Sequence, residues 1–180
     1  MMLHITGLCK KPNPIVKYER LFHHNRKGDM TMDCWTCRSN RGEKRISPGP
    51  TIYEGQYWLV EHAYPVKMLG WIVIVLKRHA EALHELTAGE FAELGQIQAR
   101  LIPLLHEELH PAKEYLSCYA EMEHFRHVHI HVFARPVDLP NELKGGQSFA
   151  LLKVTPEEAV PAQEIIAFCE SLKDRFSQAR

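Results

Sequence analysis

The sequence lacks an excess of either charge, because 22 basic and 22 acidic side chains leave a formal net charge of zero. Proteins that bind nucleic acid by displacing counterions need a basic surface, so this balance argues against a nucleic-acid partner. No apolar run approaches the length of a membrane span, and the first residues lack the apolar stretch of a signal peptide. Five cysteines, an odd number, fit reduced thiols better than a disulfide framework. We therefore expect a cytoplasmic protein that does not bind membranes.

The length and composition predict one domain with appendages. The chain has 180 residues, of which 45% are hydrophobic, enough for a buried core. Residues 1–32 are basic and irregular and are interpreted as an N-terminal arm. Residues 33–137 are expected to form the domain, and residues 138–180 a loop and a C-terminal helix that packs on it.

The arm raises a question about the start of the protein. The residues KGDM at 27–30 back-translate to a purine-rich stretch just before an ATG codon, as in a bacterial ribosome-binding site. We hypothesise that the native chain starts at Met30 or Met32 and that residues 1–29 are dispensable for fold and catalysis. The alternative is a genuine basic arm that packs near the active site or a partner.

Apolar periodicity predicts hairpins and two long helices. Thr87 and Glu90 form a capping box that opens a long helix, and Thr155-Pro156 is expected to open the C-terminal helix. Residues 34–50 are rich in Arg, Gly and Pro and are predicted to be an irregular loop. Strands are predicted at residues 51–53, 57–63, 70–76, 114–122 and 127–133. Because strands and helices do not alternate regularly, we expect an α+β fold with an antiparallel sheet.

Three histidines alternate with apolar residues in the segment HVHIHVF, which begins at His127. Side chains on a strand point to opposite faces in turn, so His127, His129 and His131 are expected to share one face. A half-exposed strand that carries histidine as its polar residue would explain one such position, but three in strict alternation favour metal ligation or phosphate chemistry. Neutral imidazole is both a zinc ligand and a nucleophile near neutral pH.

The pair Cys34 and Cys37 in CWTC is a second candidate site. A CxxC pair is typical of half a zinc site or of a redox motif, and it also occurs by chance. The flanking residues do not build the strand and helix of a thioredoxin-like motif. A zinc site needs two further ligands, and His79 or His127 could supply them.

Taken together, these segments resemble the histidine-triad (HIT) family over roughly residues 34–136. HVHIHVF matches the family signature at every position, and CWTC resembles the CxxC pair of many bacterial members. IYEGQYWLVEHAYP is similar to the family's hairpin and bend, and GWIVIVLKRHAEALHELTAGEFAEL to its following strand, turn and long helix. The resemblance implies a sheet-and-helix fold that binds nucleotides and cleaves or transfers at an α-phosphate.

The resemblance also implies separate roles for the histidines. His129 would be the nucleophile that forms a nucleotidyl-histidine intermediate, and His131 would donate to a phosphoryl oxygen and contact the nucleotide. Zinc would be structural, no organic cofactor would be needed, and relatives are often homodimers that pair through the long helix and a sheet edge. In the zinc-bearing branch of the superfamily, the ligand positions correspond to Cys34, Cys37, His79 and His127.

Some positions depart from the family pattern. Where relatives carry an aspartate that holds the ribose hydroxyls, this chain has His62. Glu123 and His124 lie near the places of a glutamine and a hydroxyl residue that touch the leaving phosphate, and Arg126 could supply positive charge beside them. Trp58 and Trp71 are expected in the core rather than as platforms for a base.

Two other classes of function remain open from the sequence. One is a metallohydrolase in which all three triad histidines hold a catalytic zinc ion, although this leaves CWTC and His79 unexplained. The other is a nucleotide-binding or interaction module with little turnover, because the ribose aspartate is replaced.

Overall fold

The computed structural model describes residues 33–178. The predicted arm and the proposed start sites at Met30 and Met32 lie outside the described residues, and the boundaries of the three predicted segments stay predictions. Among the described residues, none of the helices combines the length and the apolar character that crossing a membrane requires.

A five-stranded antiparallel sheet forms the centre of the fold, in the order β1-β2-β3-β5-β4. The predicted α+β class is confirmed. The strands are β1 (Tyr53–Glu54), β2 (Trp58–His62), β3 (Trp71–Leu76), β4 (Lys113–Ser117) and β5 (His129–Arg135). The helices are α1 (Trp35–Asn40), α2 (Ala88–Leu109) and α3 (Ala162–Gln178), with short 3-10 helices at Leu83–Glu85, Asn141–Leu143 and Gly145–Leu152.

The two long helices cover one face of the sheet. Their apolar stripes meet Val60, Ile74 and Ile130 in the main core, where α2 and α3 also touch each other. A smaller apolar cluster lies elsewhere and joins Trp71 and Phe133 of the sheet to Leu139 and Leu151. Trp58 and Trp71 are both buried, as predicted.

The start of α2 follows the predicted capping box. The Thr87 hydroxyl accepts the backbone N–H of Glu90 at 3.3 Å, and the Glu90 carboxylate accepts the backbone N–H of Thr87 at 2.7 Å. These bonds satisfy donors that the first turn of a helix otherwise leaves unpaired. The strand Trp71–Leu76 lies within the predicted 70–76.

Three local predictions were wrong. Residues 35–40, predicted as loop, form α1, whose N-cap is the Cys34 sulfur that accepts the backbone N–H of Cys37. Six residues are too few to show a helical period in the sequence. The C-terminal helix begins at Ala162 rather than Thr155, since Pro161 disfavours helical backbone at Val160, whose N–H donates to Val66 O. The strand predicted to end at residue 122 ends at Ser117.

Candidate functional site

The register of the central strands places two triad histidines on the same face of the sheet. His129 pairs with Val75 and His131 with Val73, whereas the intervening Ile130 pairs with Ile74 in the main core. His129 and His131 therefore point away from α2 and α3. His127 precedes β5, and its ring is completely buried.

His127 lies in a cluster with the CxxC pair rather than with the other triad histidines. The ligating atoms of Cys34, Cys37, His79 and His127 all lie within 4.8 Å of one another, so this group could hold a metal ion. The Nδ1 atom of His127 is 3.5 Å from Cys34 Sγ and 3.4 Å from Cys37 Sγ, and His79 Nδ1 is 3.3 Å from Cys37 Sγ. The sequence named these four residues, and the structure brings them together.

The outer nitrogen of each clustered imidazole faces an oxygen. His127 Nε2 donates to the Leu76 carbonyl at 2.7 Å, which leaves the Nδ1 lone pair directed at the sulfurs. His79 Nε2 lies 3.6 Å from the Glu81 carboxylate, too far for a hydrogen bond, and makes none with the residues that the structure describes. Metal-ligating histidines are commonly oriented by a partner on the other ring nitrogen, as His127 is by the Leu76 carbonyl. Burial, the main cause, lowers the pKa of His127 to about 4, which keeps the imidazole in the neutral form that binds metals.

His129 and His131 form a separate pair. Their Nε2 atoms are 3.1 Å apart, and His129 Nδ1 is 2.6 Å from the backbone carbonyl of His127. A carbonyl oxygen only accepts, so His129 carries its proton on Nδ1 and, when neutral, a lone pair on Nε2. This is the arrangement that a nucleophilic imidazole needs.

The pair is held neutral by its surroundings. Burial, the largest cause, lowers the pKa of His131 to about 3, and repulsion from His129 in its protonated form acts in the same direction. Burial likewise lowers the pKa of His129, and its hydrogen bond to the His127 carbonyl acts in the opposite direction. Both rings are therefore uncharged near neutral pH.

Aromatic side chains surround His131. The Trp71 indole N–H donates to His131 Nδ1 at 3.0 Å, and the ring of Phe149 lies edge-on at 4.9 Å between centroids. Phe149 belongs to the 3-10 helix Gly145–Leu152, in a region where the sequence offered no motif. The polar contact of Trp71 was also missed, because it depends on the pairing of β3 with β5, which a single-strand pattern does not reveal.

A cleft of about 540 Å³ is lined in part by β2 side chains. These side chains lie on the same face of the sheet as His129 and His131. The lining of the cleft includes Leu59 and Glu61 of β2, Arg45 and Thr51, and Cys37 and His79 of the cysteine–histidine cluster, but not His129 or His131. The Glu61 carboxylate accepts from Arg45 at 3.1 Å and from Thr51 at 3.0 Å. The sequence analysis missed Glu61 because it singled out the neighbouring His62.

His62 lies on the opposite face of the sheet from His129 and His131. It pairs with Ile72, which in turn pairs with Val132 of the main core, and its ring is 1% exposed. Its Nδ1 donates to Ala63 O at 2.7 Å, and its Nε2 accepts the Gly70 N–H at 3.1 Å. The structure does not bring His62 to the histidine pair, and its nucleotide-binding role stays a prediction.

The loop between β4 and β5 carries the other predicted binding residues. Glu123 and Arg126 are exposed, and Arg126 lines a second cavity, of about 700 Å³, with Cys118 and His84. His124 has a positive φ of 63°, and its ring stacks on Trp35 at 4.9 Å between centroids, which ties this loop to α1. The roles of Glu123 and Arg126 in binding nucleotide stay predictions.

No model of a protein family matches the sequence, and no curated protein is significantly similar to it. Solved structures do match. A hypothetical histidine triad nucleotide-binding protein from Sulfolobus tokodaii is 17% identical, with a TM-score of 0.61 over 81% of this chain and 93% of that one. A zinc-bound histidine triad family protein from Mycobacterium smegmatis is 19% identical, with a TM-score of 0.55 over 82% and 96%.

A Hit-like protein from Bartonella henselae, described as involved in cell-cycle regulation, is 10% identical, with a TM-score of 0.57 over 77% of this chain and 92% of that one. At these identities the likeness establishes the fold. The chain has the histidine-triad fold, as the sequence motifs predicted.

Proposed function

We propose that this protein is a histidine-triad nucleotide hydrolase or nucleotidyl transferase that acts at an α-phosphate through a nucleotidyl-His129 intermediate. The observation that carries the proposal is the orientation of His129. Its Nδ1–H is fixed on the His127 carbonyl at 2.6 Å, so the lone pair lies on Nε2, next to His131 Nε2, on the face of the sheet that the long helices leave uncovered. The histidine-triad fold supports the same assignment.

The proposed reaction has two steps. In the first, the Nε2 lone pair of His129 forms a bond to the α-phosphorus, and the bond to the leaving group breaks with its electron pair going to that group. In the second, water or another acceptor hydroxyl attacks phosphorus, the phosphorus–nitrogen bond breaks, and the electron pair returns to Nε2. Hydrolysis consumes one water molecule, whose two hydrogens end on the nucleotide and the leaving group.

His131 stabilises charge in this scheme. Its Nε2 lies 3.1 Å from His129 Nε2, so an N–H at that atom can reach an oxygen of a phosphoryl group under attack by His129. Donors fixed where negative charge develops contribute more to the transition state than to the ground state.

We propose that the nucleoside half of the substrate occupies the cleft over β2. Its volume of about 540 Å³ lies in the range of small-molecule sites. The Glu61 carboxylate in this cleft could accept hydrogen bonds from the hydroxyl groups of a sugar. In the family that the sequence resembles, an aspartate at the position of His62 has this role.

We propose that the cluster of Cys34, Cys37, His79 and His127 binds a structural zinc ion. Bond lengths of about 2.3 Å to sulfur and 2.0 Å to nitrogen imply sulfur–nitrogen separations of about 3.5 Å in a tetrahedron. The observed separations of 3.3–3.5 Å fit this value. Four protein ligands leave no position for a water molecule, so the ion would link α1 to the start of β5 and supply no reacting group.

The alternative of a catalytic zinc ion held by all three triad histidines is disfavoured. His127 directs Nδ1 at the cysteines and Nε2 at the Leu76 carbonyl, so neither nitrogen faces the other two histidines. A binding module with little turnover remains the competing hypothesis, and a kinetic experiment separates it from an enzyme.

The deciding experiment is a turnover assay on adenosine phosphoramidate, dinucleoside polyphosphates and sugar nucleotides. We expect turnover by the native protein and a loss of at least about 1,000-fold in His129→Asn, which keeps a polar side chain without the nucleophile. A smaller loss is expected for His131→Asn, on the order of 10- to 100-fold. Rapid quenching should trap a nucleotidyl adduct on His129. An adduct on another residue, or no turnover of any of these substrates, would contradict the proposal.

A further inference from the structure

Trp71 makes a polar contact that its burial alone does not explain. It is 1% exposed and stacks on Phe133 with ring centroids 4.4 Å apart, as a core tryptophan does. Its indole N–H, however, ends on the imidazole of His131 at 3.0 Å. A tryptophan indole only donates, so the acceptor atom, His131 Nδ1, must carry a lone pair.

This constraint determines where the His131 proton lies. Burial keeps the ring neutral near pH 7, and a neutral imidazole carries one proton. With Nδ1 occupied as an acceptor, that proton is on Nε2. Nε2 is the atom that faces His129 Nε2 at 3.1 Å.

The hydrogen bond that His129 makes to the His127 carbonyl leads to the same placement of protons. The His127 carbonyl fixes the His129 proton on Nδ1 and leaves a lone pair on His129 Nε2. The contact between the two Nε2 atoms is therefore a hydrogen bond donated by His131. With both rings neutral, one placement of protons satisfies all three hydrogen bonds: Trp71 to His131, His131 to His129, and His129 to the carbonyl of residue 127.

The ring of Phe149, which also contacts His131, does not supply this control. Trp71 and Phe149 meet its ring edge-on, with centroids 6.0 and 4.9 Å away, and the Phe149 ring has no hydrogen-bonding group. A half-turn of the imidazole about its Cβ–Cγ bond would exchange Nε2 with Cε1 and point a carbon at the reacting phosphate. The indole N–H opposes that half-turn because it would then meet Cδ2.

We infer that Trp71 is a positioning residue for His131: its indole N–H fixes the orientation of the imidazole and keeps the proton on Nε2, where it can be donated to the substrate. The catalytic part of this inference rests on the proposed function. The structural part does not, because orientation and tautomer are properties of the protein without substrate.

The test compares Trp71→Phe with Trp58→Phe. Phenylalanine keeps an aromatic ring against Phe133 but removes the donor. Trp58 is a matched control, since it is equally buried and donates its indole N–H to the Glu90 carbonyl at 2.8 Å, on the side of the sheet that α2 covers. Both variants lose one buried indole donor, and only one loses contact with His131.

Long-range proton–nitrogen spectra of protein labelled with nitrogen-15, without substrate, read the tautomer directly. His131→Gln assigns the signals. In the native protein we expect a protonated Nε2, an unprotonated Nδ1 and a nitrogen–nitrogen coupling across the bond from Trp71. In Trp71→Phe the His131 signals should shift or split as the ring samples a second orientation, whereas in Trp58→Phe they should stay in place. A protonated Nδ1 in the native protein would overturn the inference even if neither variant folds.

The kinetic arm tests the consequence for catalysis. We expect kcat of Trp71→Phe to fall about tenfold, less than the full loss of a donor to the transition state, with KM changed by less than about threefold. Trp58→Phe should keep the native kcat once it is folded. An unchanged kcat in Trp71→Phe overturns the positioning role. Absence of turnover in the native protein, with the expected spectra, would reject the proposed reaction while supporting the control of the His131 ring.

Discussion

At the scale of single residues, His62 shows how burial restricts a histidine to one charge state. Both ring nitrogens are committed, with Nδ1 donating to Ala63 O and Nε2 accepting from Gly70 N–H. A proton added to Nε2 would meet that N–H. Burial, the largest cause, lowers the pKa of His62 to about 4, despite the opposing effect of the bond to Ala63.

We predict that His62 makes the fold sensitive to acid. Because its pKa is lower in the folded protein than in the unfolded chain, its stabilising contribution is complete above about pH 6.5 and is lost as the pH falls towards 4. The loss over this range is on the order of 3 kcal/mol in the free energy of unfolding. Urea denaturation between pH 7 and 4.5 should show a shallower pH dependence for His62→Gln than for the native protein.

His84 provides the control for this measurement because it is exposed. His84→Gln should leave the native pH dependence in place. Equal slopes for the native protein and His62→Gln would show that the buried ring does not couple folding to pH.

The sequence was sufficient to place residues whose position depends on one strand. Alternation in HVHIHVF predicted a common face for His129 and His131, and the pairing of β5 with β3 agrees. The same alternation put His127 on that face, but it precedes β5 and its ring turns to the cysteines. The contacts of Trp71 and Glu61 depend on neighbouring strands, and such registers are set by tertiary packing.

At the scale of elements, the turn after β3 is joined to the start of α2 by a buried carboxylate. Arg78 donates to both oxygens of Glu90, from Nε at 2.6 Å and from its terminal nitrogen at 2.8 Å. Glu90 is 2% exposed, and the Arg78 hydrogen bonds are the largest cause that lowers its pKa, to about 2. The same turn carries His79, so this ion pair also supports the cluster of Cys34, Cys37, His79 and His127.

We predict that Arg78→Gln lowers the free energy of unfolding by about 2 kcal/mol, because it leaves a buried carboxylate without its charged partner. The effect is smaller than for a fully buried ion pair, since the Arg78 side chain is 44% exposed. Lys77→Gln is the matched control, because the adjacent pair of Lys77 with Glu54 is on the surface and should contribute less than about 1 kcal/mol. Urea denaturation measures both, and equal effects would contradict this account.

The two cysteines of the cluster are the N-cap of α1, Cys34, and Cys37 within the helix. We predict that the stability of this region depends on the metal. Cys34→Ser or removal of zinc should lower the melting midpoint by at least about 5 °C, equivalent to roughly 2 kcal/mol. Cys118→Ser, which changes a cysteine outside the cluster, should melt close to the native protein. Metal analysis of protein purified without chelators should give one zinc ion per native chain, and an unchanged midpoint in zinc-free protein would exclude a structural role.

Local signals predicted α2 well and the other helices less well, for reasons visible in the structure. The capping box of Thr87 and Glu90 is a contact within four residues, and it formed as predicted. The start of α3 depends on a contact across the fold, from Val160 to Val66. The cap of α1 is a cysteine sulfur, which the ordinary rules for capping residues do not include.

At the scale of the whole molecule, β4 forms one edge of the sheet as the structure describes it. Leu116 in this strand is 44% exposed, and Tyr119 just beyond it is 56% exposed. An edge with unpaired backbone groups and apolar side chains is suited to pairing with a second chain. The edge is consistent with the homodimer expected from the family resemblance.

We predict that the protein is a dimer in solution and that Leu116→Lys shifts it towards the monomer. A charge on this edge opposes strand pairing. Light scattering after size-exclusion chromatography, at several protein concentrations, measures the change. Lys113→Arg, at the start of the same strand, should leave the native mass unchanged, and a monomeric native protein would contradict the prediction.

His127 belongs to two sites through different atoms, since its ring faces the cysteines and its carbonyl holds the proton of His129. Under the proposed assignments, zinc at the ring of His127 would also steady the backbone carbonyl that orients His129. Chains that fold without zinc are then expected to be less active than zinc-loaded chains. Under metal limitation, the active fraction of the protein would depend on zinc supply as well as on the amount of chain.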